Sequence, residues 1–324
     1  MIKFILRKIV FLIPVFIGIT LVTFTVTEMA PGDPVDIQTS LNPKVSLETK
    51  EKLKELYGLN KPLHERYVIW VKNMIVFDFG NSFTDGQSVN AKIASRIPVT
   101  LLLNGLSLFF VLIIAIPLGV QSAIKENSAF DHWVSVFVFI GFALPTFWLA
   151  LMLMTLFGIH WHVLPVSGIT SLDFDLMNGW QQFWDLARHL ILPILASTIT
   201  HLAGITRFMR ASMLEVLNQD YIRTAKAKGL SYHEIYYKHA LRNALLPIIT
   251  ILGLSVPGLL GGSVIFETVF ALPGMGKLMY DAVMSRDFPV YMAVLVIGAI
   301  LTLIGNLIAD ISYRIADPRI GWDA

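Results

Sequence analysis

Four short runs carry residue types whose spacing could do chemistry, and each lacks a member that the chemistry needs. Gly274-Met275-Gly276-Lys277-Leu278 approaches a phosphate-cradling loop. Such a loop requires Gly-x4-Gly-Lys-Ser/Thr, and the first glycine and the closing hydroxyl are missing here. His233-Glu234 is followed by His239, which breaks the His-Glu-x-x-His spacing that sets two imidazoles on one helix face for zinc. In Gly253-Leu254-Ser255-Val256-Pro257, Pro257 stands where a nucleophile elbow needs glycine. His160-Trp161-His162 offers two imidazoles without a further ligand, a poor metal site that fits an interfacial aromatic belt instead. Cysteine is absent, so disulfides, thiolate metal sites and cysteine nucleophiles are excluded. The sequence predicts a chain that catalyses nothing and binds no metal or cofactor.

What it has instead is a basic stretch built for contact. Residues 221–247 read YIRTAKAKGLSYHEIYYKHALRNALLP, between two membrane-length apolar segments. Leu214, Leu217, Tyr221 and Ala225 recur at helical spacing and form one apolar stripe, with Arg223, Lys226 and Lys228 largely off it. Gly229 is placed to end this helix in the left-handed conformation. Ser231 and Glu234 make a capping box that starts a second helix, which carries His239 and Arg242. The product is a helix–turn–helix with an apolar ridge and cationic flanks, a shape suited to a groove on a soluble partner.

The elements that hold this stretch are membrane helices. The 324 residues are 55% hydrophobic and 15% charged, outside the range of soluble domains. Six apolar segments, 9–30, 98–124, 132–159, 189–210, 247–270 and 289–311, have the roughly 20 residues that a bilayer span requires. Thirteen of the 25 lysines and arginines fall on one side of these spans and three in the short loops of the other, with nine in the long segment 31–97. By the positive-inside rule both termini and residues 211–246 are cytoplasmic. The net charge of +2 therefore reflects topology, and no nucleic-acid partner is expected. Glu28 occupies a position where signal cleavage needs a small residue, so 1–30 is expected to remain a transmembrane helix. An extracytoplasmic helical segment follows over 31–97. It opens on the Pro31-Gly32-Asp33-Pro34 turn, with short helices over 47–57 and after Pro62 and a turn at 78–82. A five-helix core spans 98–311, and a cytoplasmic tail occupies 312–324. The fold class is an all-α membrane protein of six transmembrane helices.

The motifs on both sides of the membrane resemble one family. RTAKAKGL and HALRNALLP resemble the cytoplasmic coupling loop of importer-type ABC transporter permeases, in the form of the dipeptide/oligopeptide/nickel branch. Relative to the generic loop, Arg223-Thr224-Ala225 fills the Glu-Ala-Ala slot, and only Ala225 and Gly229 match. PGDP, YGLNKPLHERYVIW, FDFGNSF and the closing Ala316-Asp317-Pro318-Arg319-Ile320 resemble the same branch in the same order. The resemblance implies a permease of a bacterial or archaeal cell membrane, importing di- or oligopeptides, with nickel and oligosaccharides as alternatives. It implies a homologous second permease, two ATPase subunits that bind the ATP and Mg, and an extracytoplasmic solute-binding protein. Tyr221, Arg223, Ala225, Lys226, Lys228, Gly229, Ser231, Glu234, His239 and Arg242 would couple the chain to the ATPases. A gradient-driven transporter or channel is the reading from a different class, and it calls for charged residues in mid-span, of which few are visible.

Polar groups inside the spans are candidates for the pathway. Asn104, Asn306 and Glu267 are costly in lipid and should face protein or water, with interhelical hydrogen bonding as the simpler role. Gly258-x-x-x-Gly262 offers a flat helix face for close packing, in this family against a second permease. Pro117, Pro145, Pro193 and Pro257 can kink their helices. The segment 271–288 is too polar to span but long enough to dip back from outside, so Pro273, Gly274 and Gly276 are candidates for an outer gate.

Overall fold

Apolar runs without internal breakers become long helices, and the computed structural model, which describes residues 2–29, 35 and 46–316, is built from them. The Pro31–Pro34 turn and residues 317–324 of the expected tail lie outside the described residues. Regular structure among the described residues is helical apart from one isolated bridge between Asn81 and Ser88.

Helix α1 (Ile2–Met29) is apolar on nearly every side. Lys8 near its start pairs with Asp310 near the chain's end at 2.7 Å. Two short helices follow, α2 (Leu47–Leu56), capped by Ser46, and α3 (Leu63–Ile75), preceded by Pro62. Tyr67 and Trp70 of α3 pack on Phe24 of α1 with ring centroids at 5.3 and 5.9 Å, and Arg66 grips Glu28 through two hydrogen bonds of 2.5 and 2.6 Å. Helix α4 (Val89–Ile124) begins nine residues before the apolar run, because nothing in the polar turn 89–97 breaks a helix.

The expected third span is a broken pair. Helix α5 (Ala129–Ala143) and helix α6 (Thr146–Leu153), continued by a π-helical turn over Met154–His160, meet at an angle of 98°. Pro145 supplies no N–H, and Leu144 before it takes the extended conformation (φ −78, ψ 129) that proline imposes on its predecessor. Pro117 and Pro193 lie inside continuous helices. Helix α7 (Gly179–Leu217) opens on an Asn178–Gln181 capping box. Then come α8 (Asp220–Ala227), a second helical run ending in α9 (Leu241–Ala244), α10 (Leu246–Gly261), α11 (Val264–Val269), α12 (Met275–Met284) and α13 (Phe288–Ala316).

Among the described residues five helices are long and apolar enough to cross a membrane, or six when the bent pair is taken as one span. The core forms mainly where α4 lies along α7 and α10 along α13. At Gly119 a methyl group would sit 2.7 Å from Met209 Cβ, so α4 and α7 approach closely there. The expected flat face at Gly258-x-x-x-Gly262 does not form as one helical surface, since Gly262 takes φ +74 and ends α10.

Candidate coupling surface and pathway

The stretch 211–246 forms the two-helix unit that its spacing predicts. Gly229 sits at φ +75, its N–H donating to Lys226 O at 3.0 Å while Leu230 N–H reaches Ala225 O at 3.4 Å. This pattern closes a helix through a left-handed residue. The Ser231 hydroxyl accepts from Glu234 N–H at 3.3 Å, and the Glu234 carboxylate accepts from Ser231 N–H at 3.2 Å. The Ser231 hydroxyl and amide hold the Glu234 pKa below the usual carboxylate value. The second helix is π-helical over Glu234–Ala240, a local unwinding often found at functional sites.

The apolar ridge faces the other way from the sequence expectation. Ala225 is buried, Ile222 entirely so, and Leu214 and Leu217 pack with them against Val120, Met209 and Met213. Apolar surface costs least against the chain's own helices, so the ridge became the seat of the unit. Tyr221 is 42% exposed and its hydroxyl accepts from Asn243 Nδ2 at 2.7 Å. The outer surface is cationic instead. Lys226, Lys228 and Arg242 are exposed and form no ion pair among the described residues, while Arg223 meets only Asp220, at 3.2 Å. Tyr232, 70% exposed, stacks on Tyr236 beside them. His239 is half-buried. Ser212 of α7 donates to Ala244 O at 2.9 Å, tying the second helix to the bundle.

One joint near this unit was missed in the sequence. Asp131, at the start of α5, receives two 2.7 Å hydrogen bonds from Arg210 of α7, one from Asn127 N–H at 3.0 Å and one from Ser122. Asp131 lies in the polar stretch 125–132 ahead of the third span, where a carboxylate carries no distinctive signal.

Of the pathway candidates, the structure brings Asn104 to a cavity. Its amide donates to Gly258 O at 2.9 Å and Leu259 O at 3.3 Å, bridging α4 and α10. With Ser107, Ser197, His201 and Ser255 it lines a space of about 410 Å³ between α4, α7 and α10. The buried Ser107 hydroxyl has no partner among the described residues. Asn306 is exposed on α13 and does not line this space.

Glu267 is fully buried and hydrogen-bonded within the chain. Its carboxylate accepts from Thr100 Oγ1 at 3.0 Å, Lys277 N–H at 2.8 Å and Ser263 N–H at 3.3 Å. Met275 N–H in turn donates to Thr100 Oγ1 at 2.8 Å. The Pro273–Gly276 turn wraps this carboxylate so closely that a methyl group on Gly274 would lie 2.3 Å from Glu267 Cδ. Gly276 and Gly262 meet across the same site. Thr100 was not singled out in the sequence, since a threonine within a span carries no distinctive pattern, and Gly262 was read only as half of a packing motif. Helix α12 then folds back onto α13 and α4. Beside it the buried Asp287 accepts from Ser82 and, at 2.9 Å, from Phe83 N–H, while Lys92 bonds Asp85 at 2.8 Å. Lys92 holds the Asp85 pKa below its usual value. His160 and His162 are exposed, and no group of three metal-ligating side chains occurs among the described residues.

The comparisons with known proteins point to one family, and the sequence relatives match nearly the whole length. Residues 115–322 match the family described as binding-protein-dependent transport system inner membrane component. Residues 1–104 match the N-terminal component of the same systems. The chain is 44% identical to the oligopeptide transport system permease protein of Bacillus subtilis (strain 168), over 99% of this chain and 100% of that one. It is 38% identical to the di/tripeptide transport system permease protein of Pseudomonas aeruginosa (strain UCBPP-PA14) and to the dipeptide transport system permease protein of Escherichia coli (strain K12), over 99% of each chain. A solved structure of the methionine ABC transporter MetNI, in inward-facing form, superposes with a TM-score of 0.55 at 21% identity, covering 69% of this chain and 96% of that one. That likeness concerns the fold. The chain belongs to the family of binding-protein-dependent transport system inner membrane components. It is a multi-pass permease subunit of an ABC importer, a class that works with ATPase and substrate-binding partners.

Proposed function

We propose that this permease carries di- or oligopeptides inward across a bacterial or archaeal cell membrane. It would form the pathway with a homologous permease, above two ATPase subunits that hold the ATP and Mg, and it would itself catalyse nothing. An extracytoplasmic solute-binding protein would deliver the peptide. The full-length likeness to permeases named for peptides supports the substrate. The observation that carries the coupling is the seat under residues 221–240: Ile222 and Ala225 buried in the bundle beneath exposed, unmatched cations.

In this reading both termini and the coupling unit face the cytoplasm. ATP closes the ATPase pair, and the surface bearing Lys226, Lys228 and Arg242 moves with it. Because Ile222, Ile235 and Ile248 interlock with Met209 and Met213, the motion reaches α7 and α10 together. Those helices wall the cavity at Asn104 and Ser107. Access alternates because the two states differ in affinity for nucleotide and for peptide. The Glu267 cradle with Pro273, Gly274 and Gly276 would form the outer gate.

The test is to purify the tagged chain from its native membrane in mild detergent, identify its companions, and measure ATP-driven uptake in proteoliposomes. Recovery of ATPases and a second permease, with uptake of peptides, supports the proposal. Uptake of nickel or oligosaccharides alone overturns the substrate. A stable assembly of this chain without ATPases overturns the coupling.

A further inference from the structure

A second groove, about 830 Å³ in volume, lies between α5 and α7. It is separate from the cavity at Asn104, although Gly204 and Phe208 border both. Its two ends differ in chemistry. At the end nearer the coupling unit stand Ser135, Thr206 and Arg207, next to the Asp131–Arg210 pair. Away from it, the walls are Val138, Phe139 and Phe142 of α5 and Ala203 and Gly204 of α7.

The polar end is incomplete by its own bonding. Arg210 is matched by Asp131 through two 2.7 Å bonds, so that pair brings no net charge. Arg207 is exposed, and it forms no ion pair among the described residues. Thr206 is 2% exposed, and its hydroxyl has no hydrogen-bond partner among the described residues. An arginine in a membrane helix is costly unless an anion or water meets it, and a buried hydroxyl without a partner is costly too. The Thr206 hydroxyl is closed off from the groove, so the Arg207 guanidinium is the group that an anion with several acceptor oxygens would meet.

From this pairing of ends we infer that the groove holds one anionic phospholipid, its phosphate on Arg207 and an acyl chain along Phe139 and Phe142. A guanidinium can bind phosphate through two parallel N–H bonds. Ser135 to Phe142 gives roughly 10 Å of trough at 1.5 Å per residue, enough for the upper part of an acyl chain. Phe139 and Phe142 are exposed and present apolar surface where a lipid would arrive. A soluble phosphate would leave the apolar wall wet. An apolar helix of a second permease would cover the wall and leave Arg207 unmatched.

The test uses the full chain with its co-purifying subunits in phosphatidylcholine nanodiscs, with or without phosphatidylglycerol, read by native mass spectrometry after gentle release. The wild type should retain one phosphatidylglycerol per chain in preference to phosphatidylcholine. Arg207→Gln should lower that retention about tenfold, the effect of losing one charge-assisted contact, and Arg207→Lys should restore part of it. Val138→Trp, which fills the trough and leaves Arg207 in place, should also abolish retention. Equal retention of the two lipids, or retention unchanged in both Arg207→Gln and Val138→Trp, overturns the proposal. So does efficient crosslinking of Ser135→Cys to a second permease, which would show that protein fills the groove.

Discussion

At the end of the bundle built from Glu267, Asp287 and residues 78–92, buried carboxylates are met by amides and hydroxyls of the same chain. At the end built from residues 211–246 the arrangement is reversed. There apolar side chains are buried, and Lys226, Lys228 and Arg242 stand outside without a counter-charge among the described residues. The first end satisfies its own polar groups and gains order from them. The second is anchored by packing and leaves its charges exposed. A rigid end and a firmly seated unit with a free charged face are what the proposed transmission of motion requires.

Removing the carboxylate at the first end should have the largest effect on stability. Glu267→Ala strands Lys277 N–H, Ser263 N–H and Thr100 Oγ1 together, and should cost about 4 kcal/mol at 1–3 kcal/mol for each stranded group, allowing for partial relaxation. The unfolding midpoint of the purified protein in detergent, followed by tryptophan fluorescence, measures it. Gly274→Val should destabilise comparably, because its side chain overlaps the carboxylate. At the other end, Ile222→Ala should cost about 3 kcal/mol by leaving a cavity beneath the coupling unit. If Ile222→Ala leaves the midpoint unchanged, the unit is not seated by packing and the contrast between the ends fails.

Backbone changes in the coupling unit should be milder for stability and sharper for transport. Gly229→Ala should cost about 1 kcal/mol, the strain of a left-handed residue with a side chain. Gly229→Pro and Ala225→Glu should remain in the membrane yet separate ATP hydrolysis from uptake in proteoliposomes, since one breaks the turn and the other forces a charge into the seat. Normal uptake by both would remove the unit from the coupling route. The smallest stability effect should come from single alanines at Lys226, Lys228 or Arg242. Exposed and unpaired, they should leave the unfolding midpoint in place while weakening ATPase retention.

Much of this contrast was legible in the sequence where a local signal sets the structure. Gly229 specifies a turn through its backbone, and Ser231 and Glu234 a cap through their side chains and amides, and both formed. Pro145 announced a kink, although nothing local fixes the angle at 98°. Legibility failed where the answer depends on what lies across the fold. The stripe through Ala225 was visible, but whether it meets a partner or its own bundle is decided by Met209 and Met213. Glu267 read as a polar group near a helix end because its partners Thr100 and Lys277 are far away in sequence or on the backbone. Gly262 looked like half of a packing motif because its positive φ is imposed by the turn that follows.

The most direct measurement concerns the free charges of the coupling unit. A chain carrying Lys226→Ala, Lys228→Ala and Arg242→Ala together should be purified beside the wild type from the same membrane, and the ATPase subunits retained by each quantified after a salt wash. The variant should show the wild-type unfolding midpoint, keep its second permease and lose most of its ATPase subunits. Full retention of the ATPases by a folded triple variant would contradict the reading of this surface as the coupling site.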